Sequence, residues 1–181
     1  MFYILVVDDE PGILSALRRS LNNLDDEQGN SIPLTVDCYA DPIEALKAAD
    51  VKAYDAVISD YRMPGMNGVE FLLFFRTKQK DAVRILLSGY ADIDGIIGAI
   101  NEAQIFRYIT KPWHEGELKH VLRQGLATRQ LLQENKRLAD MVRAEQAKVN
   151  KHELLLARLE AESPGITQVK WGPNGEVLLD E

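Results

Sequence analysis

Cysteines, zinc-ligand patterns and long apolar runs are what this sequence lacks. Its 181 residues include one cysteine, Cys38, so no intrachain disulfide can form. The apolar stretch at the amino terminus, residues 2–7, is too short for a secretory leader or a membrane span. His114, His120 and His152 do not have the spacing of zinc ligands. These absences predict a protein of the reducing cytoplasm with no membrane contact.

An excess of positive charge is also missing. The formal net charge of −7 disfavours a general attraction to nucleic acid or to anionic lipid. The sequence also has no helix-turn-helix segment, and its tail is acidic, so no nucleic-acid partner is expected. Hydrophobic residues make up 46%, which is enough for a core. The length predicts one domain of ordinary size plus an appendage.

The first two thirds of the chain alternate between short apolar runs and segments with helical periodicity. The apolar runs predict five strands, at residues 3–7, 34–39, 56–58, 84–87 and 106–109. Helical spacing predicts helices that begin near residues 11, 42, 69, 93 and 115. This alternation predicts an α/β fold, with a parallel sheet covered by helices on both faces.

Polar side chains follow four of the predicted strands. Asp8 and Asp9 follow the first strand, Asp60 the third, Ser88 the fourth and Lys111 the fifth. Taken alone, each of these residues could be an ordinary turn, capping or surface residue. Their coincidence at one edge of the sheet favours a functional site. Clustered carboxylates need a counter-charge, and Mg²⁺ takes such oxygen ligands. With an ammonium and a hydroxyl, this set predicts a cradle for a phosphoryl group carried on an aspartate.

Four segments in the same order resemble the receiver domain of two-component response regulators. They are VDDE (7–10), SDYRMPGMNG (59–68), LSG (87–89) and YITKP (108–112). The resemblance implies a flavodoxin-like (CheY-like) fold with a doubly wound, five-stranded parallel sheet over residues 1–123. It further implies that the domain takes part in a phosphorelay.

The resemblance also implies roles for the residues at the sheet edge. Asp60 would accept a phosphoryl group from the phosphohistidine of a sensor histidine kinase or a phosphotransfer protein. Asp9, Asp60 and the backbone carbonyl of Arg62 would ligate Mg²⁺, and Asp8 would help through a water molecule. Lys111 would pair with the phosphoryl group.

Two further residues would form a switch. Ser88 would move toward the phosphoryl oxygen, and Tyr108 would turn inward behind it, although a strand residue at position 108 could also be ordinary. Gly95 and Gly98 fit a mobile fourth helix or close packing. More narrowly, residues 86–113 resemble receivers that precede cyclic-di-nucleotide phosphodiesterase domains of the HD-GYP class.

A helical pattern continues from residue 115 to about residue 161, well beyond a normal fifth helix. From Thr128 a 3-4 spacing predicts a coiled coil over 124–161 and a parallel homodimer through 128–159. The alternative is one amphipathic helix folded back on the receiver. In the tail, 162–181, two apolar runs around Gly-Pro-Asn-Gly predict a β-hairpin.

Three functions compete. The first is a phospho-signalling module that works by binding and has no enzymatic turnover beyond self-dephosphorylation. The second is the regulatory front of a cyclic-di-nucleotide signalling enzyme whose catalytic domain lies elsewhere. The third, a Mg²⁺-dependent phosphatase, is disfavoured because Arg62 occupies the place of the second acid that haloacid-dehalogenase-type phosphatases carry.

Overall fold

The structure, a computed structural model, describes residues 1–26, 28–89, 102–165, 170–171 and 177–178. Most of the predicted fourth helix, including Gly95 and Gly98, lies outside the described residues. The chain divides into two compact units, Met1–Leu132 and Gln133–Glu181. The expected domain boundaries at residues 123 and 161 stay predictions.

The first unit contains the predicted parallel sheet. Its five strands are β1 (Phe2–Val7), β2 (Leu34–Tyr39), β3 (Ala56–Asp60), β4 (Val83–Ser88) and β5 (Arg107–Thr110). They pair in the order β2-β1-β3-β4-β5, and every pair is parallel. The register aligns Val7 with Ser59 and Ser88 with Thr110, so the carboxyl ends of these strands meet at one edge. The α/β doubly wound fold is therefore confirmed.

Four helices lie wholly within the described residues. They are α1 (Pro11–Asn22), α2 (Pro42–Val51), α3 (Gly68–Lys78) and α4 (Glu115–Glu162). The side chain of Asp41 accepts a hydrogen bond of 2.7 Å from the Ile43 amide and so caps α2. Asn67 and Glu70 form a reciprocal capping box at α3, with both hydrogen bonds at 3.0 Å.

The sheet separates two apolar cores. On one face, Ile4, Val6 and Ile58 pack with residues of α1 and with the start of α4. On the other face, Leu5 and Val57 pack with residues of α2 and α3. Alternate strand residues point to opposite faces and both faces are covered, which explains why the strands are nearly continuous apolar runs.

The second unit contains the remainder of α4 and a small antiparallel pair. Every residue of α4 from 133 to 159 is exposed. Strands β6 (Lys170–Trp171) and β7 (Val177–Leu178) pair antiparallel, as the predicted hairpin requires. Among the described residues, no helix combines the length and the apolar character needed to cross a bilayer.

Candidate functional site

Three carboxylates converge at the carboxyl edge of the sheet. Asp8 and Asp9 follow β1, and Asp60 ends the adjacent strand β3, because the parallel register brings the two strand ends side by side. One oxygen from each carboxylate lies within 4.8 Å of the others. Asp8 and Asp60 are buried, whereas Asp9 is the most exposed of the three.

Lys111 joins two of these carboxylates. It follows β5, and its amide donates a 2.8 Å hydrogen bond to the carbonyl of Ser88 at the end of β4. Its Nζ lies 2.8 Å from Oδ2 of Asp8 and 2.6 Å from Oδ1 of Asp60. The ammonium group therefore lies directly beside the predicted phosphoacceptor.

The cluster retains an excess of negative charge. Three carboxylates and one ammonium leave a formal charge of −2. Burial raises the pKa of Asp60, and the hydrogen bond from Lys111 offsets this only in part, while the nearby Asp8 raises it further. Burial alone would lower the pKa of Lys111, but its hydrogen bonds to Asp60 and Asp8 outweigh burial and raise it. A hard divalent cation with oxygen ligands matches both the charge and the donor atoms of this cluster.

Backbone amides orient two of the carboxylates. Oδ1 of Asp8 accepts a 2.9 Å hydrogen bond from the amide of Glu10, and Oδ2 of Asp60 accepts one of 3.1 Å from the amide of Arg62. Each carboxylate thus has one oxygen held by the local turn and the other held by Lys111. These contacts fix the orientation of both side chains.

The two predicted switch residues lie on neighbouring strands. Ser88 is buried at the end of β4, and its Oγ is a buried polar atom without a hydrogen-bond partner among the described residues. Such an atom is costly unless a partner is supplied, and this one lies at the end of the strand next to β3. Tyr108 in β5 is 41% exposed, so its ring has an outward position.

Gly68 permits the close packing of α3 against the phosphoacceptor strand. A Cβ atom at this position would lie 2.0 Å from the backbone oxygen of Asp60 and 2.9 Å from Cδ1 of Leu86. The amide of Gly68 also donates a 2.8 Å hydrogen bond to the carbonyl of Tyr61. The glycine therefore lets the first turn of α3 support the Asp60 loop from behind.

Several of these supporting groups are not among the residues predicted from the sequence. The Asn67–Glu70 capping box has the recognisable Asn-x-x-Glu spacing, so the sequence did contain its signal. Arg84 had no such signal: it is buried in β4, and its guanidinium donates to four backbone carbonyls, those of Lys80, Ala82, Ala103 and Gln104. It ties the start of β4 to the segment that leads into β5.

Two regulatory proteins are similar in sequence to the part of the chain that carries this site. Hydrogenase transcriptional regulatory protein HoxA of Cupriavidus necator is 41% identical over 123 residues, which are 68% of this chain and 24% of that protein. Cyclic di-GMP phosphodiesterase response regulator RpfG of Xanthomonas campestris pv. campestris is 31% identical over 118 residues, covering 64% of this chain and 29% of that protein.

A solved structure is similar over nearly its whole length. The signal receiver domain of an HD domain-containing protein from Pseudomonas fluorescens Pf-5 has 34% identity and a TM-score of 0.63, covering 71% of this chain and 96% of that one. By contrast, this chain spans about a quarter of the length of the hydrogenase and C4-dicarboxylate transport regulators that it matches. Residues 4–123 match the family described as response regulator receiver domain. The chain belongs to the response regulator receiver domain family.

Proposed function

We propose that this chain is a phospho-signalling module in which Asp60 accepts a phosphoryl group from the phosphohistidine of a sensor kinase or phosphotransfer protein. The observation that carries the proposal is the contact of Asp60 with Lys111, 2.6 Å apart, inside a cluster of three carboxylates. A carboxylate in such a site is a nucleophile, and an adjacent ammonium group stabilises charge that develops on a phosphoryl oxygen.

The transfer step forms one bond and breaks one bond. An oxygen of the Asp60 carboxylate attacks phosphorus, the P–N bond of the phosphohistidine breaks, and the electron pair remains on the departing imidazole. Lys111 moves with the charge, from an ion pair with Asp60 to one with a phosphoryl oxygen. Asp8, whose Oδ2 lies 2.8 Å from Nζ of Lys111, keeps the ammonium group in place during the exchange.

We infer that Mg²⁺ is the cation this cluster takes. Asp9, Asp60 and the backbone carbonyl of Arg62 would ligate it, and Asp8 would act through a water molecule. The ion would neutralise the −2 cluster and withdraw charge from the phosphoryl group, since its preferred ligands are carboxylate, carbonyl and water oxygens. The chain would have no turnover of its own beyond hydrolysis of its aspartyl phosphate.

The unpaired hydroxyl of Ser88 supports the proposed switch. A phosphoryl group adds acceptor oxygens near the end of β4, and Ser88 would gain a partner by moving toward them. The space behind it would then admit the ring of Tyr108, which is now outward. Phosphorylation would change the surface around β5 in this way.

Labelling by a small phosphodonor tests the phosphoacceptor. Wild-type protein with Mg²⁺ and acetyl phosphate should acquire a phosphoryl group that hydroxylamine removes, and Asp60→Asn should not. Asp50→Asn is the matched control, because Asp50 is an exposed carboxylate in the last turn of α2, which leads toward the amino end of β3, and it pairs with Lys78. Persistent labelling of the Asp60→Asn variant would refute the assignment.

We further propose that residues 128–159 bind a second copy of the chain as a parallel coiled coil. The apolar side chains at the seam positions are 38–67% exposed in the single chain; they are Leu131, Leu138, Val142, Val149, Leu156 and Leu159. An isolated helix with an uncovered apolar stripe is marginal in water. Lys148 and Glu153 have opposite charges at positions that face each other across a parallel pair.

Sedimentation tests the dimer. Wild-type protein at micromolar concentration should sediment as a dimer, Val142→Lys should shift it to monomer, and Ala144→Lys should not, because position 144 lies off the seam. A wild-type monomer both with and without beryllofluoride would refute the coiled coil. Light scattering with and without beryllofluoride would also reveal whether the phosphoryl state changes the assembly.

A second candidate function has support from two relatives. The receiver of an HD domain-containing protein and the cyclic di-GMP phosphodiesterase response regulator are both similar to this chain. This chain would then be the regulatory front of a cyclic-di-nucleotide enzyme. Other relatives are named transcriptional regulators, and for that output we propose that DNA contact lies outside this acidic chain. Reading the gene downstream of residue 181 distinguishes the candidates.

A further inference from the structure

An ion pair anchors α4 at the amino edge of the sheet, opposite the carboxylate cluster. Nη1 of Arg129 lies 2.6 Å from Oδ1 of Asp55, and both side chains are only 17% exposed. Nε of Arg129 also donates a 3.1 Å hydrogen bond to the carbonyl of Asp81. The guanidinium therefore contacts the segments that lead into both β3 and β4.

Asp55 is itself a fixed point. Its Oδ2 accepts a 2.7 Å hydrogen bond from the amide of Tyr3 in β1. Its backbone amide donates to the carbonyl of Tyr3 at 2.8 Å, and its carbonyl accepts from the amide of Val83 at 2.9 Å. Because hydrogen bonds connect Asp55 to β1 and to β4, Arg129 is paired with a residue that is held at three points.

Close apolar packing supports the ion pair one turn earlier. A Cβ atom at Gly125 would lie 2.6 Å from Cγ1 of Val83, and Leu126 is buried. This packing and the Arg129 ion pair extend beyond residue 123, where the match to the family ends. The two turns 123–129 are thus attached to the sheet by a contact that fixes the rotation of the helix about its axis.

The anchored face determines which residues point away from the sheet. At about 100° per residue, Leu131 projects at least about 120° around the helix from Gly125, Leu126 and Arg129. Leu131 is 67% exposed, and Thr128 is also exposed. These two residues occupy the first two seam positions of the heptad pattern.

We propose that the ion pair between Arg129 and Asp55 is a phase-setting clamp, which presents the seam beginning at Thr128 and Leu131 to a second copy of the chain. Arg129 is a positioning residue, since it contacts the sheet and not the partner. This inference rests on the proposed dimer. Without the clamp, the first heptad of α4 can rotate about the helix axis relative to the sheet. Residue 131 is then no more likely than its neighbours to meet residue 131 of the second copy.

Disulfide trapping reads the phase directly. In a Cys38→Ser background, Leu131→Cys places a thiol on the seam, and Gln130→Cys places one well off it. Because a disulfide requires close Cα atoms, position 131 should cross-link at least about tenfold faster than position 130. Adding Arg129→Gln, which retains a good helix former, should reduce this ratio to within about threefold.

Arg137→Gln is the matched control. Arg137 is an exposed arginine of the same helix, 3.8 Å from Glu134, and its replacement should leave the ratio unchanged. If Arg129→Gln preserves both the dimer and the preference for position 131, the clamp role is wrong and the dimer stands. A monomer by sedimentation that cross-links at neither position would instead refute the dimer, and this inference with it.

Discussion

Replacing Gly68 by alanine should damage both the fold and the phosphoacceptor site. The added Cβ atom would lie 2.0 Å from the backbone oxygen of Asp60, far inside a normal contact, and 2.9 Å from Leu86. Neither the strand backbone nor the first turn of α3 is a flexible side chain that can rotate away. One of the two must therefore shift by about 1 Å.

The magnitude follows from the two opposing effects. Overpacking a core against backbone costs about 1–3 kcal/mol, and the gain in helix propensity from glycine to alanine is at most about 1 kcal/mol. We expect a net loss of about 2 kcal/mol in the free energy of unfolding. A displacement of about 1 Å at a reacting group can slow its reaction by about 10²-fold, so phosphorylation of Asp60 should fall by about that factor.

Urea unfolding in a Trp171→Phe background measures the change in the free energy of unfolding. The fluorescence of Trp113 reports the transition, because this residue packs partly buried against the core. Gly116→Ala is the matched control: it lies in the first turn of α4 with nothing within 4 Å of its Cβ position, so stability should rise or stay the same. The rate of labelling by acetyl phosphate measures the expected fall in phosphorylation of Asp60. A Gly68→Ala variant within about 0.5 kcal/mol of wild type and equally reactive would refute the packing explanation.

Two further substitutions and one truncation should each change the stability of the fold in a direction that the structure determines. Because burial raises the pKa of Asp60 in the fold, Asp60→Asn should raise the urea midpoint at neutral pH without divalent ions, and the gain should shrink as pH falls to about 4; a less stable variant at neutral pH would contradict this. Burial alone would raise the pKa of Asp37. Hydrogen bonds from Lys52, 2.5 Å away, and from Tyr54 outweigh burial, so the net effect is a lowered pKa. Asp37→Asn should therefore cost about 1 kcal/mol at pH 7, a difference that disappears as the pH falls below about 4; a pH-independent difference would exclude this cause. Ending the chain after residue 123 instead of Leu132 should cost about 2 kcal/mol or more, because it removes the buried Leu126; equal thermal stability of the two truncated forms would be inconsistent with the anchoring of α4.

Much of the sheet edge could be predicted because its signals are local. The apolar runs have strand length, and four of the five end on or beside a residue of the candidate site, as with Asp60 at the end of β3. Parallel strands joined by helices bring those ends together whatever the detailed packing. The cluster of Asp8, Asp9 and Asp60 with Lys111 therefore follows from order and periodicity.

Other features depend on contacts between distant residues and have no local signal. A glycine that opens a helix can be permissive or indispensable, and Gly68 is indispensable only because the backbone of Asp60 passes so close to it. Arg84 looks like a surface residue in sequence, yet four carbonyls from two separate segments satisfy its guanidinium in the core. The ion pair of Asp55 with Arg129 likewise joins two residues that are 74 positions apart in sequence.

Periodicity and residue type, read along the chain alone, predicted the strands, their parallel arrangement and the identity of the acids and the lysine at the sheet edge. Tertiary packing decided that Lys111 bridges Asp8 and Asp60, that Ser88 has an unsatisfied buried hydroxyl, and that α4 is rotated so that Leu131 points away from the sheet. The physical reason is range. Hydrophobic patterning acts over a few neighbouring residues, whereas ion pairs and close backbone contacts exist only after segments far apart in sequence have packed together.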